Sequence, residues 1–421
     1  MEGPTPWSSS SVASLFLPAR IHKFSWASTN ERVTGIAVKM TTVFDAPEWK
    51  LLLAASSPEP TGDKRARLLL KAAPDWNTLL RLADRHGLLS LLYLNLEQVA
   101  DAVPAAALST LRKKYELNIH KSLFLTRELT RILHCLQELQ LAVLPYKGVV
   151  LSEIYYGDMA LRQCGDMDLF AQASDIGRIK NTVRELGYVP RVAIPQDAET
   201  NYIASGYEYT FDSPAGKNLL ELQWALQPRY YAVDFDMKGL FSRAVEVPFA
   251  GGRVHTLSSQ DLLLVLCIHA AKHVWGRLIW LRDVVQIVQQ DLNWDWIESQ
   301  ARALGIERIL RVTLLLGNRL LGMQIPSAIA HALQSDRAAR NVAEEIAASM
   351  AAGVDYEEHK VAYFRLMLRL REKRMDQMRF LTRLTFTPGP GEWEAVRLPR
   401  VLFPIYPVVR LARLAGRFAR G

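Results

Sequence analysis

The chain has 421 residues, of which 49% are hydrophobic, and its formal net charge is +8. This length is enough for two or three domains with sizeable cores. No uninterrupted apolar run reaches the roughly 18 residues that a membrane-spanning helix needs. No basic segment precedes an apolar core at the N-terminus, so the sequence does not predict a secretory signal.

The three cysteines, Cys135, Cys164 and Cys267, lie far apart in the sequence. Cys135 and Cys267 fall within apolar helical patterns, and Cys164 just precedes a predicted strand. This distribution is typical of reduced thiols and not of a disulfide framework or a zinc site. We therefore predict a cytoplasmic protein.

In chain order, the patterns predict five regions. They are a disordered extension over 1–40, a helical N-terminal region over 41–140, an α/β domain over 141–255, a helical C-terminal domain over 256–386 and a basic tail with prolines over 387–421. The predicted fold class is α+β, with a small sheet, mixed or mostly antiparallel, flanked by helices. The first helical region, with one or two amphipathic helices over 108–139, is predicted to be a support without chemistry.

The α/β domain is predicted from short apolar segments that alternate with turns. We expect strands over 143–146, 167–171, 207–211, 219–224 and 245–249, and helices over 148–156 and 174–186. Ser174 is the predicted N-cap of the second helix, and Gly187 the residue that ends it.

A helix predicted to follow the capping sequence at Ser258 carries a polar stripe. At about 100° per residue, one side collects polar groups and the other is apolar. The spacing of His269 and His273 occurs in zinc sites, but no glutamate follows the first histidine, so a hydrogen-bonded stripe is preferred. Alternatively, the stripe lines the acceptor side of a cleft, with Asp283 orienting a histidine. Its candidate cleft-lining residues are His269, Lys272, His273 and Asp283.

Positive charge is concentrated towards the C-terminus, where residues 397–421 contain six arginines and no acid. Basic surfaces bind nucleic acid, anionic lipid or acidic partners, but they are more often solvated surface. The aromatic–basic interleaving of a nucleic-acid module is missing, so nucleic acid is not a predicted partner. Contact of the tail with a membrane surface is the lesser alternative to docking on the helical domain, because Pro399, Pro404 and Pro407 prevent one continuous helix.

Two carboxylates, Asp166 and Asp168, are one residue apart at the start of a predicted strand. Alternation along a strand places both on one face, while Met167 and Leu169 face a core. Two aligned carboxylates form a docking point for a hard cation such as Mg²⁺, which also holds substrate phosphates. This pair is the candidate metal site.

A third acid, Glu221, lies on another predicted strand. Alternation places Glu221 and Gln223 on one face, opposite Leu220 and Leu222. Three carboxylates around one or two Mg²⁺ ions would position a nucleoside triphosphate (NTP) and lower the pKa of an attacking hydroxyl. Glu221 is the candidate general base and third metal ligand, and Gln223 a candidate cleft-lining residue; a solvated strand face is the alternative.

A glycine, Gly148, follows the apolar strand predicted over 143–146 and precedes a predicted helix. Glycine lets backbone amides approach a phosphate closely, and the helix would point its N-terminus at the charge. Strand, glycine turn, helix and Asp-x-Asp strand together indicate a metal–nucleotide site.

These motifs resemble the nucleotidyltransferase superfamily with a DNA polymerase β-type palm, and more narrowly its uncharacterised bacterial nucleotidyltransferases. The resemblance rests on Lys147-Gly148, on Asp166-Met167-Asp168-Leu169 with Arg162 ahead, and on the strand from Leu220 to Trp224. Helical flanking matches extend it over roughly residues 45–410.

The resemblance implies that a nucleoside monophosphate is moved from an NTP, with ATP the first candidate, to a small-molecule, peptide or protein acceptor while pyrophosphate leaves. It implies Mg²⁺ or Mn²⁺ as cofactor, Asp166 and Asp168 as metal ligands, and Glu221 as the third acid. The family's usual Gly-Ser pair is Gly148-Val149 here, so no serine hydroxyl is available to hold a phosphate. Lys147 or Arg162 would contact the phosphate instead. Alternatively, Arg162 is an ion-pair partner of the aspartates.

The strand that often reads Asp-Leu-His in the family reads Glu221-Leu222-Gln223 here. The third acid is therefore longer and the histidine is replaced. These departures keep a second hypothesis open. In it the protein is a catalytically inactive module that keeps the fold and binds a nucleotide or a partner.

Overall fold

A computed structural model describes residues 43–58, 62–192, 194, 199–213, 215–354, 361–387, 396, 398, 402 and 405–418. The predicted disordered extension and about half of the predicted basic tail lie outside these residues. The described chain is a mixed α+β structure, as predicted, in which a small sheet is surrounded by helices.

The sheet has five strands in the order β1-β2-β5-β4-β3. Strands β2 and β5 are parallel, and every other neighbouring pair is antiparallel, so the sheet is mixed. The strands are β1 (Val143–Pro145), β2 (Met167–Ala171), β3 (Val189–Pro190), β4 (Glu208–Ser213) and β5 (Gly216–Gln223). The parallel pair is the feature that matters for the site, because it places the ends of β2 and β5 side by side.

The predicted strand over 245–249 does not join this sheet. It forms a separate hairpin, in which β6 (Val245–Phe249) pairs with β7 (Gly252–Thr256). Strands β3 and β7 were not predicted. The helix predicted over 174–186 begins at Ile176, so Ser174 is not its N-cap, whereas Gly187 follows its end with a φ of +94° as expected.

Within the described residues, five helices precede the sheet: α1 (Pro47–Ala55), α2 (Asp63–Leu70), α3 (Trp76–His86), α4 (Leu89–Glu97) and α5 (Ala105–Glu138). Four are inserted between its strands and the hairpin: α6 (Gly148–Tyr156), α7 (Ile176–Glu185), α8 (Glu199–Ser205) and α9 (Met237–Ser242). Helix α5 crosses one face of the sheet, since its buried residues share an apolar core with β2 and β5.

The helices after the hairpin are α10 (Ser259–Lys272), α11 (Leu278–Val288), α12 (Trp294–Leu304), α13 (Glu307–Leu321), α14 (Ser327–Ser335), α15 (Arg337–Ala351), α16 (Val361–Arg369), α17 (Arg374–Phe386) and α18 (Tyr406–Phe418). A second apolar core is shared by these helices and by the helices that precede the sheet. None of the helices within the described residues is long and apolar enough to cross a membrane.

The predicted polar stripe is not on one helix. Helix α10 ends at Lys272 and α11 begins at Leu278, and between them Val274 and Trp275 both have φ of +50°. Such values are rare for residues with a side chain and break a helix. The prediction of one helix through Asp283 was wrong because a periodic apolar pattern continues across the break.

The described part of the tail packs on the helical region, as predicted. Helix α18 contacts α17, and the buried guanidinium of Arg410 donates a hydrogen bond to the Leu384 carbonyl oxygen at 2.6 Å.

Candidate active site

Carboxylates from the two parallel strands meet at one edge of a cleft. Asp168 on β2 lies opposite Glu221 on β5 in the strand register, and Asp166 immediately precedes β2. The residues that alternate with them, Met167 and Leu169 among others, are buried in the core under the sheet. The predicted alternation is confirmed, and it turns the three acids towards the same cavity.

This cavity has a volume of about 770 Å³. It lies between the sheet, helices that precede the sheet in the sequence and helices that follow it. We call it the candidate catalytic cleft. Most of its acids lie on or beside the strands, whereas most of its cations lie on helices or their ends. The charged and histidine residues that line it are Asp84, Lys114, Lys121, Lys147, Arg162, Asp166, Asp168, Glu208, Glu221, His269, Lys272, His273 and Arg277.

Lys147 is paired with Asp168 inside the cleft. Its ammonium Nζ lies 2.9 Å from Oδ1 of Asp168, and both side chains are largely buried. Burial alone would lower the pKa of Lys147, but Asp168, Tyr146 and Glu221 outweigh it, and the pKa is well above its usual value. Lys147 is therefore a fixed positive charge beside the predicted metal strand.

The turn after Lys147 requires glycine for two reasons. Gly148 has a φ of +59°, and a Cβ atom there would lie 3.0 Å from the carbonyl oxygen of Asp166. The first condition strains any other residue, and the second leaves no space for a side chain. The predicted glycine turn thus lies directly against the Asp-x-Asp segment.

Two of the acids are held in an environment that disfavours their charge. Burial, and then the negative charge of Asp168, raise the pKa of Asp166 to about 6. Burial, with Asp168 and Glu208, raises the pKa of Glu221 to about 8. A cation in the cleft would relieve this repulsion and lower both pKa values.

A test of the metal prediction gives a mixed answer. Across the part of the chain that the structure describes, no group of three or more His, Cys, Asp or Glu side chains is arranged to hold a metal ion. The predicted set of Asp166, Asp168 and Glu221 is thus not preassembled. Asp166 and Asp168 alone fit Mg²⁺, which proteins commonly hold by one or two carboxylates plus substrate phosphates.

Glu221 is positioned by a short hydrogen-bond chain. The hydroxyl of Tyr146 donates to Oε1 of Gln223 at 2.7 Å, and Nε2 of Gln223 donates to Oε2 of Glu221 at 2.9 Å. Tyr146 is itself stacked on Phe170, with ring centroids 4.1 Å apart. Gln223 therefore lines the cleft as predicted and orients the third acid.

Arg162 does not pair with the two aspartates. Its guanidinium forms two hydrogen bonds with the Asp283 carboxylate, Nε to Oδ1 and Nη2 to Oδ2, each at 2.9 Å. The Tyr156 hydroxyl donates to the same carboxylate at 2.7 Å. Arg162 still lines the candidate catalytic cleft, although its Nε and Nη2 atoms are engaged by Asp283.

Asp283 has a different place from the predicted one. It is fully buried beneath the cleft, does not line it, and contacts Arg162 and Tyr156 and not a histidine. The two histidines do line the cleft: His269 and His273 have ring centroids 4.9 Å apart, and Trp280 packs beside both. Burial, and then Lys147 and other cations, hold the pKa of His269 well below its usual value.

Lys272 lines the cleft as well. Its Nζ lies 5.0 Å from the centroid of the Tyr207 ring and 3.4 Å from the Tyr207 hydroxyl. The predicted cleft residues Gln223, His269, Lys272 and His273 are thus brought together although α10 and α11 are separate helices.

The predicted support region forms one wall of the cleft. Lys114, Asn118 and Lys121 on α5 line it, at spacings that place them on one helix face. Nδ2 of Asn118 donates to the Ala160 carbonyl oxygen at 2.7 Å, which fixes α5 against the segment before β2. This polar face of an amphipathic helix was the signal that the sequence prediction missed.

The cleft thus combines paired carboxylates, a glycine turn and a surrounding set of cations. A family model described as "Uncharacterised nucleotidyltransferase" matches residues 72–322, which include every predicted site residue. The chain belongs to this family of nucleotidyltransferases.

No curated protein matches the chain. Among solved structures, the chain is similar to an antigenic nucleotidyltransferase-like protein from Paracoccidioides brasiliensis, at 16% sequence identity and a TM-score of 0.30. That match covers 51% of this chain and 97% of the other.

Proposed function

We propose that this protein transfers a nucleoside monophosphate from an NTP, with ATP the first candidate, to an acceptor, and that it requires Mg²⁺ or Mn²⁺. The observation that carries the proposal is the placement of Asp166, Asp168 and Glu221 at the ends of two parallel strands, against the Gly148 turn and inside one cleft. A wider relationship to the DNA polymerase β-type enzymes remains a prediction.

Asp166 and Asp168 would hold the metal ion. The bound ion would neutralise phosphate charge and lower the pKa of an attacking hydroxyl. Lys147 has to leave Asp168 for the ion to bind there, and the triphosphate offers the ammonium a new anionic partner. The Gly148 turn admits a phosphate near the backbone at the start of α6.

The acceptor oxygen attacks the α-phosphorus of the NTP, the bond from that phosphorus to the bridging oxygen breaks, and pyrophosphate leaves. Glu221 takes the proton of the acceptor hydroxyl. With its pKa at about 8 this carboxyl is mostly protonated at neutral pH, so it acts as a base only after a cation has lowered that pKa. Gln223 holds it in place by donating to Oε2.

Cations on the walls stabilise the charge of the leaving pyrophosphate. Lys114 and Lys121 project from α5, and Lys272 lies at the end of α10. Positive groups fixed before the reaction offset developing negative charge without reorganisation. We also place the protein in the cytoplasm, a proposal supported by its three cysteines, all of which are free.

The direct test is incubation of purified protein with each α-labelled NTP and Mg²⁺ or Mn²⁺. Pyrophosphate release, or label transferred to an acceptor or to the protein itself, is the expected result. The proposal would be overturned if none of the NTPs gave metal-dependent pyrophosphate release with either ion, even when a cell extract supplied acceptors.

A second candidate function is a catalytically inactive module that binds a nucleotide or partner. The specific observation in its favour is that Lys147 neutralises Asp168 while no three-ligand group is preformed among the described residues. It predicts nucleotide binding by calorimetry that does not require a divalent cation and is not followed by pyrophosphate release.

A further inference from the structure

A second cavity of about 490 Å³ lies beside the candidate catalytic cleft. The two cavities share four lining residues, Asp84, His273, Arg277 and Trp280. The rings of His273 and Trp280 have centroids 5.2 Å apart and form the boundary between the two spaces. The second cavity is therefore adjacent to the candidate catalytic cleft, and these two side chains separate the two spaces.

The segment that carries this boundary is held in one conformation. Val274 and Trp275 have positive φ values, which persist only where the surrounding structure enforces them. Trp275 is fully buried, and its Nε1 donates to Oγ1 of Thr313 at 2.9 Å. This anchor fixes the residues on either side, His273 and Arg277.

A second anchor joins the same segment to α3. The backbone N–H of Leu278 donates to Nδ1 of the buried His86 at 3.2 Å. Burial, with Arg85 and Arg277, lowers the pKa of His86 to about 4, so the ring is neutral and accepts this bond. Helix α3, which supplies Asp84 and Arg85 to the cavity, is thereby fixed against Arg277.

The walls of the second cavity differ in character. On one side are two arginines, Arg277 and Arg85, and one acid, Asp84; the guanidinium of Arg277 lies 5.7 Å from the centroid of the Trp280 ring. On the other side are apolar residues from α15 and the residues after it, Ile346, Met350 and Val354. An anionic group would find its counter-charge at Arg277, and an attached apolar portion would pack on α15.

We infer that the second cavity is the acceptor pocket of the proposed reaction, and that the acceptor carries a carboxylate or phosphate bound by Arg277 next to an apolar portion. This inference rests on the proposed function. The anion fixes the orientation of the acceptor, and the part beyond it passes His273 and Trp280 to meet the α-phosphorus. The pocket thus selects amphiphilic anions over cations of the same length.

Calorimetric titration tests the pocket without knowledge of the natural acceptor. The protein is first saturated with Mg²⁺ and the non-hydrolysable α,β-methylene ATP, so that the triphosphate position is filled. Hexyl phosphate, hexanoate and hexylamine are then titrated separately. We expect the two anions to bind at least about tenfold more tightly than the amine. Comparison of the two anions shows which of the two anionic groups is preferred.

Two variants with matched controls locate the binding. Arg277→Gln should weaken anion binding at least about tenfold, whereas Arg319→Gln, at an exposed arginine of α13, should not. Val354→Trp should fill the pocket and weaken both anions, since Val354 is 57% exposed and tolerates a larger side chain. Val245→Trp, at an exposed valine of β6 that does not line the pocket, is its control.

The two proposals fail in different ways. If the ATP analogue does not bind, the proposed function is wrong. If the analogue binds but the anions do not, or bind Arg277→Gln and Val354→Trp as they bind the wild type, the acceptor pocket is wrong and the proposed function stands.

Discussion

The ammonium of Lys147 lies 2.9 Å from the carboxylate of Asp168, in the position beside β2 where a divalent cation is predicted. This pair connects the residue before the Gly148 turn to strand β2. Asp168 is thereby neutralised by Lys147. In the proposed function, metal binding at Asp168 and the release of Lys147 would be a single event.

Replacement of Lys147 by methionine should make stability depend on Mg²⁺. Without the metal ion, Asp168 loses its counter-charge while it stays buried, which we expect to cost roughly 3 kcal/mol. Mg²⁺ should restore much of this loss, because the ion takes the position of the ammonium. Urea unfolding with and without Mg²⁺ measures both values.

Lys180→Met is the control for this effect. Lys180 forms a similarly buried ion pair with Glu199 at a distance from the cleft. Its replacement should destabilise the protein equally with and without Mg²⁺. The account fails if Lys147→Met behaves in the same way as Lys180→Met.

Replacement of Gly148 by alanine should both destabilise the turn and displace Asp166. We expect a loss of about 1–3 kcal/mol from the positive φ, with an added cost from the contact with the Asp166 carbonyl oxygen. Gly177→Ala on α7 is the matched control, since a Cβ atom there meets no atom within 4 Å and its φ is not positive. That change should be neutral or slightly stabilising. Thermal unfolding distinguishes the two, and equal effects would be incompatible with the described turn.

The stability of the protein should fall as the pH rises through the titration of Glu221. The folded-state pKa of Glu221 is about 8, far above the ordinary value of 4.5 near which it ionises in the unfolded chain. The folded state therefore loses stability relative to the unfolded state as the pH rises from the lower value to the higher one.

Glu221→Gln removes this loss. In the absence of divalent cations the variant should be more stable than the wild type by on the order of 5 kcal/mol near pH 8.5, with no difference near pH 4. Guanidinium unfolding at the two pH values measures the difference. A difference that is independent of pH would show that the carboxyl is not held in the described environment.

Replacement of Asp283 by asparagine should affect stability more than nucleotide affinity. The change leaves the buried guanidinium of Arg162 without its counter-charge, at a cost of roughly 3–5 kcal/mol. Asp234→Asn, in an exposed pair with Arg383, should cost at most about 1 kcal/mol. Chemical unfolding compares the two. If Asp283→Asn is no more destabilising than its control, the buried pair has been assigned the wrong role.

The parts of the site that lie close together in sequence were predictable. The Asp166–Asp168 spacing and the alternation around Glu221 follow from the two-residue period of a strand, and both are found. The mixed sheet followed from the order of short apolar segments and helices. Gly148 was predictable as a turn residue, although its contact with Asp166 was not.

Contacts between distant segments were not predictable. The partner of Arg162 is Asp283, which is 121 residues away and was assigned to a stripe that the break at Val274 divides. Charge alone suggested the nearby aspartates as partners. In the same way, the amphipathic pattern of α5 marks a polar face but does not show that this face lines the cleft, because that depends on how the helix packs across the sheet.

The most direct measurement of the central claim compares pyrophosphate release by three proteins in the presence of Mg²⁺ and the preferred NTP. They are the wild type, the double variant Asp166→Asn/Asp168→Asn, and Asp291→Asn at an exposed aspartate after α11. We predict that the wild type and Asp291→Asn release pyrophosphate at the same rate and that the double variant, while folded, releases none. Unchanged release by the double variant would contradict the assignment of the activity to this cleft.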